Sequence, residues 1–171
     1  QSLNEALDHA GIINKAKVNL TFIDAAKINK SNVKKNLSFA DAVLVPGGFG
    51  ERGIEGMIIA CQFARESNIP YFGICLGMQI AVIDFARNVC GLKNANSTEF
   101  NKNTKYPVID LMESQRAIKI KGGTMRLGAY DCSLKQGSLI HKIYGQDTIS
   151  ERHRHRYEVN IDYKEQLEDC L

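Results

Sequence analysis

Tyr71-Phe72-Gly73-Ile74-Cys75-Leu76-Gly77-Met78-Gln79 changes its pattern halfway along. The apolar run from Ile69 to Ile74, punctuated by Pro70, reads as a short buried strand. After Cys75 the apolar positions Met78, Val82, Phe85 and Ala86 recur at helical spacing. Cys75 therefore stands at a strand-to-helix turn, with Gly73 two residues before it and Gly77 two after. G-x-C-x-G is the cysteine counterpart of the G-x-S-x-G nucleophile elbow. A residue on so sharp a turn has a strained backbone, and its neighbours at minus two and plus two must be nearly free of side chain. The turn also places the sulfur at a helix N-terminus, where the dipole and unpaired N–H groups favour a thiolate. The Leu76 N–H then points to where an oxyanion would form. The competing reading is a buried, inert cysteine between two packing glycines.

Working outward, the chain alternates helices and strands. Residues 2–10 place Leu3, Ala6, Leu7 and Ala10 at helical spacing, and Gly11 is expected to stop that helix. The segment from Val18 to Ile23 alternates as a strand does, and residues 25–40 carry a weak helical signal. Ala42-Val43-Leu44-Val45 is a second buried strand, closed by Pro46-Gly47-Gly48-Phe49-Gly50. A helix follows, with Ile54, Met57, Ile58, Cys61 and Ala64 on one side, and the helix after the elbow runs to about Asn88. This order predicts an α/β fold with a mostly parallel sheet flanked by helices. Reactive sites in such sheets lie at the carboxyl ends of strands, where both glycine-rich turns fall. Farther on, Tyr106–Leu111 and Ala117–Ile120 read as strands, residues 122–128 open and close on glycine, Leu139–Tyr144 is a short apolar stretch, and 163–169 are helix-like.

Composition narrows the class. The chain has 171 residues, 44% apolar and 24% charged, which suits one globular domain with a real core. A net charge of +3 is too small to argue for nucleic acid or a membrane surface. No apolar run approaches the roughly 20 residues that span a bilayer, and the opening Gln1–Glu5 does not read as a signal peptide. The five cysteines are odd in number and form no C-x-x-C, which argues against a disulfide framework or a zinc site. Reduced thiols in a cytoplasmic setting are expected.

Three other stretches carry chemistry. Pro46–Gly50 reads either as a plain turn or, beside an elbow, as a loop whose Gly48 N–H joins Leu76 at the oxyanion. It is neither G-x-G-x-x-G nor a P-loop. Arg152-His153-Arg154-His155-Arg156 puts two histidines on one side of a strand, but interleaved arginines repel a cation, so no metal is expected there. Anion recognition by arginine and a solvated charge run both remain open. Glu99 reads by itself as an ordinary surface acid.

With these residues in hand, Gly73–Gln79 together with Pro46-Gly47-Gly48 resembles the class I (triad) glutamine amidotransferases, whose domain is flavodoxin-like. Arg52-Gly53, Asn94–Phe100, Gly123–Gly128 and Arg152–Asn160 narrow the resemblance to the glutaminase domain of the CTP synthases, across essentially all of residues 1–171. The resemblance implies that Cys75 is the nucleophile and that Gly48 and Leu76 line the oxyanion hole. It implies that L-glutamine is held by Leu76, Gly77, Met78, Gln79, Glu99 and Arg156. No cofactor is implied in this domain. The resemblance further implies that ATP and Mg2+ act in a synthetase domain of the same protein, that GTP is an allosteric activator, and that the complete protein is a homo-oligomer, a tetramer.

The chain departs from the family pattern. The 171 residues hold no H-P-E-like motif to supply the triad histidine and glutamate, and the strand expected before the first helix is missing. Between Glu113 and Lys121 the chain is shorter than the pattern. The domain is expected to be a fragment, incomplete at both ends. The alternatives are a non-catalytic amidotransferase-like regulatory or binding domain, and another cysteine hydrolase acting on a peptide or aldehyde adduct.

Overall fold

The computed structural model describes residues 2–116 and 126–171. Helix α1 spans Ser2–Ile13 and runs through Gly11 instead of stopping there. Its ending is built by Lys15, at φ +52°. The N–H groups of Ala16 and Lys15 return to the carbonyls of Gly11 and Ile12, the paired bonds of a Schellman motif. Gly11 serves that ending differently: a Cβ there would lie 2.7 Å from the Ala16 carbonyl oxygen.

Residues 18–23 carry no regular structure and enter no ladder among the described residues, contrary to the strand their alternation predicts. Alternation sets which way side chains face. A strand also needs a neighbour whose N–H and C=O groups are in register, and here Leu20 and Phe22 are exposed. The weak helical signal that follows resolves into a 3-10 turn at Ala25–Lys27, capped by Asp24, and a short α2 at Val33–Leu37.

The next four elements are those that the elbow predicts: β1 (Val43–Val45), α3 (Ile54–Glu66), β2 (Tyr71–Gly73) and α4 (Leu76–Asn88). β2 is not the buried strand that its apolar run predicts: it pairs only with β1 among the described residues, Phe72 is 60% exposed and Tyr71 and Gly73 are half-buried. β1 and β2 pair in parallel, with Val43 opposite Tyr71 and Val45 opposite Gly73. Then come β3 (Asn96–Ser97), β4 (Pro107–Leu111), α5 (Glu113–Arg116), β5 (Arg126–Ser133), α6 (Leu139–Tyr144), β6 (Thr148–Arg154), β7 (Tyr157–Val159), a 3-10 turn (Ile161–Tyr163) and α7 (Lys164–Glu168). β3 and β4 are parallel, whereas β4 pairs antiparallel with β7 and β5 antiparallel with β6. The fold is α/β, with parallel pairing carried by β1–β2 and β3–β4 and antiparallel pairing confined to the second half. The strand expected at 117–120, residues 122–125 of the glycine motif and most of the shortened 113–121 stretch lie outside the described residues.

Helix α3 joins two apolar clusters. Its Ile54, Ile58 and Cys61 pack with Leu76, Ile80 and Ile83 of α4 and with Val108 and Ile109 of β4. Its Ala60 and Ala64 pack with Val43, Val45, Val33 and Leu37. Ile80 and Ile83 have no exposed surface, and burying each contributes roughly 1.5–3 kcal/mol. That burial fixes α4, and so the elbow at its start, against α3 and β4.

Candidate active site

Cys75 occupies the N-cap of α4 with φ +54° and ψ −103°. A side-chain-bearing residue adopts this conformation only where its surroundings impose it, and here two glycines and a strand do so. A Cβ on Gly73 would fall on the backbone of Gly77, 2.6 Å from the Met78 nitrogen. A Cβ on Gly77 would fall on the carbonyl of Val45. The G-x-C-x-G spacing is thus a close approach of three backbones: the end of β1, the end of β2 and the first turn of α4. The Ile74 N–H donates to Val45 (3.0 Å), the Gly77 N–H to Ile74 (3.0 Å) and the Gln79 N–H to Cys75 (3.1 Å). Cys75 itself is exposed, whereas Cys61 is buried.

The glycine loop lies against this turn. A Cβ on Gly47 would stand 3.4 Å from the Cβ of Cys75, and one on Gly48 would stand 3.1 Å from Cδ2 of Leu76. The Leu76 side chain belongs to the core, so only its backbone is available to a ligand. Met78 is 41% exposed. Gln79 is buried, and its amide nitrogen donates to the Tyr157 carbonyl at 3.1 Å, which ties α4 to β7.

Glu99 follows β3, and one of its carboxylate oxygens accepts the Gly50 N–H at 3.3 Å. The residue that reads as an ordinary surface acid therefore meets the end of the glycine loop. Arg156 sits between β6 and β7, its carbonyl accepting the Met112 N–H at 2.9 Å. Tyr157, which the sequence does not single out, lies among these groups. Burial first and then the Glu99 carboxylate push its phenol above the ordinary value, while Arg156 opposes them. The structure thus brings Cys75, the 46–50 loop and Glu99 together at the ends of β1, β2 and β3; Arg156 is the chain neighbour of Tyr157, and its backbone is tied to Met112.

His153 and His155 do share a side, with ring centroids 5.4 Å apart, edge to face. Among the described residues no group of three or more His, Cys, Asp or Glu side chains could hold a metal ion. No helix of the described residues is long and apolar enough to cross a membrane.

An exposed cysteine forced into a left-handed turn at a helix N-terminus, faced by a glycine loop, is the geometry of a nucleophile elbow. The chain belongs to the class I glutamine amidotransferases: the family model "Glutamine amidotransferase class-I" matches residues 1–171. Within that class it is similar to the CTP synthases of Cytophaga hutchinsonii, at 60% identity over 98% of this chain and 31% of that protein, and Syntrophus aciditrophicus, at 57% identity over 99% and 32%. The solved glutaminase domain of Trypanosoma brucei CTPS with bound acivicin matches with a TM-score of 0.90 and 40% identity, over 99% of this chain and 65% of that one. The chain spans about a third of the length of the curated relatives it matches.

Proposed function

We propose that residues 1–171 are part of the glutaminase domain of a CTP synthase. The Cys75 sulfur attacks the side-chain carboxamide carbon of L-glutamine. The resulting oxyanion takes hydrogen bonds from the N–H groups of Leu76 and Gly48. The C–N bond breaks, ammonia leaves with a proton, and a thioester remains on Cys75. Water then adds to the thioester, and glutamate departs as the thiol is restored. Glu99 faces the substrate ammonium, Arg156 faces its carboxylate, and the segment Leu76, Gly77, Met78 and Gln79 forms the floor beneath. The observation that carries this reading is Cys75, held in its left-handed turn with Gly47 and Gly48 against it.

The proton transfers need a base. The 171 residues contain no H-x-E. We assign the base to a histidine–glutamate pair elsewhere in the whole protein. There, ammonia passes to a synthetase domain that aminates UTP to CTP with ATP and Mg2+. GTP stimulates the glutaminase step, and the protein works as a cytoplasmic homotetramer. In the full-length protein, Cys75→Ser is expected to abolish glutamine-dependent CTP formation and to spare the ammonia-dependent reaction. Retention of the glutamine-dependent reaction, or loss of both, refutes the assignment.

A further inference from the structure

Gly77 is pinned at both polar ends. Its N–H donates to the Ile74 carbonyl at 3.0 Å, and its carbonyl accepts the Tyr71 hydroxyl at 2.8 Å. Tyr71 is the first residue of β2, four residues before Cys75, and Gly77 lies two after it. The phenol therefore reaches behind the elbow and holds the first turn of α4 from below. Its ring packs against both apolar clusters. Burial pushes the phenol far above its ordinary value, so it stays a neutral donor across the working pH range.

The neighbouring Cys61 thiol is pushed up to about 12 by burial first and then by Asp84. Asp84 is 1% exposed and is gripped by Nε of Arg65 at 2.9 Å and Nδ2 of Asn88 at 2.7 Å. Arg65 and Asp84 thus bridge α3 and α4, and Tyr71 separately ties β2 to the peptide that follows the Cys75–Leu76–Gly77 turn.

We infer that Tyr71 is a positioning residue for thioester chemistry: its hydroxyl fixes Gly77, and through Gly77 the direction of the Leu76 N–H. The inference rests on the glutaminase reading above. Glu99 and Arg156, proposed for the ammonium and carboxylate, lie beside other elements, so loss of the hydroxyl loosens the turn and the floor at Gly77 while the charged contacts to the substrate persist.

The test uses the full-length protein and Tyr71→Phe, which keeps the ring and removes one hydrogen bond. The glutamine-dependent kcat is expected to fall about three- to tenfold, as the net worth of one such bond requires. KM for glutamine is expected to stay within about twofold, with the ammonia-dependent rate unchanged. Cys61→Ala keeps the bond to Gly77 and is expected to lower Tm without lowering kcat. A Tyr71→Phe protein with lower Tm and wild-type kcat makes Tyr71 merely structural. A raised KM at unchanged kcat assigns it to binding, and a matching loss of the ammonia-dependent rate assigns it to the fold. Each of these results overturns the inference. If the wild-type protein forms no glutamate from glutamine, the glutaminase reading itself has failed, which this comparison separates from a failure at Tyr71.

Discussion

Gly77→Ala tests the packing that makes the elbow. A Cβ on Gly77 would overlap the carbonyl oxygen of Val45 and stand 2.9 Å from its carbon and 3.1 Å from the Val45 Cβ. Real Cβ contacts do not come inside 3.0 Å, and neither partner can swing away, because one is a paired strand and the other a helix turn. The two must separate by on the order of 1 Å. An alanine inside a helix gains up to about 1 kcal/mol over glycine by propensity. Overpacking costs typically ~1–3 kcal/mol, and a clash of backbone on backbone belongs at the upper end, which leaves a net loss of about 2 kcal/mol. A displacement of ~1 Å at a reacting group costs about 10²-fold in rate. Urea unfolding of the full-length protein reads the first quantity, and glutamine-dependent turnover reads the second. Gly48→Ala is the comparison for stability: its Cβ would stand 3.1 Å from Cδ2 of Leu76, a side chain that need give only a few tenths of an ångström, so a loss of at most about 1 kcal/mol, smaller than at Gly77, is expected. A Gly77→Ala protein as stable as wild type, with turnover within about threefold, would refute the account of why this spacing exists.

With a diazo-ketone analogue of glutamine, Cys75 is expected to be modified first in peptide mapping. Cys61 and Cys90 are both pushed up to about 12, each by burial first, and should label slowest at pH 8. Glu99→Ala removes a charged contact worth about 1.5–3 kcal/mol, so glutamine kcat/KM should fall roughly ten- to a hundredfold while ammonia-dependent turnover persists; parallel losses would make Glu99 a folding residue. Burial first, and then His153, hold the His155 imidazole below its ordinary 6.5. As pH falls through 6.5 the unfolded chain takes this proton before the folded one, so stability should drop there and His155→Gln should flatten the drop in a Tm-versus-pH series; an unchanged slope counts against it. Cys75→Gly should raise stability by about 1 kcal/mol, because relief of a left-handed backbone exceeds glycine's added unfolded-state entropy; a lower stability would mean that the turn is unstrained.

The elbow was legible because its logic is local: a strand pattern, a helix pattern and two glycines flanking one cysteine. Helix α3 was legible from periodicity, since Ile54, Ile58, Cys61 and Ala64 enter the core. For α4 the periodicity located the helix but not its buried face: Met78 is exposed, Val82 and Phe85 are half-buried, only Ala86 is buried, and Ile80 and Ile83 fill the core instead. The alternation of residues 18–23 misled because a strand is defined by its partner and not by its own pattern. Gly11 misled because the same residue type serves a close approach as readily as a helix stop. Contacts between distant parts were not legible at all. Nothing near Glu99 announces Gly50, and nothing near Gln79 announces Tyr157. The Tyr71 hydroxyl bond spans only six residues but depends on a turn whose shape the sequence implies without dimensions.

The antiparallel pair β5–β6, with α6 between, buries almost nothing. α6 has no buried residue, Leu139 and Ile143 are 72% and 66% exposed, and β6 alternates only between exposed and half-buried positions. Such a unit is held mainly by its own ladder and opens at a cost well below that of global unfolding. Its backbone amides should exchange with deuterium long before those of α4. Arg156 stands where this unit hands the chain to β7. On the role proposed for Arg156, an opening that unzips β6 loosens the carboxylate end of the proposed pocket while the turn around Cys75 stays closed, so that capture of the amino acid and readiness of the sulfur rest on parts of the molecule with different lifetimes.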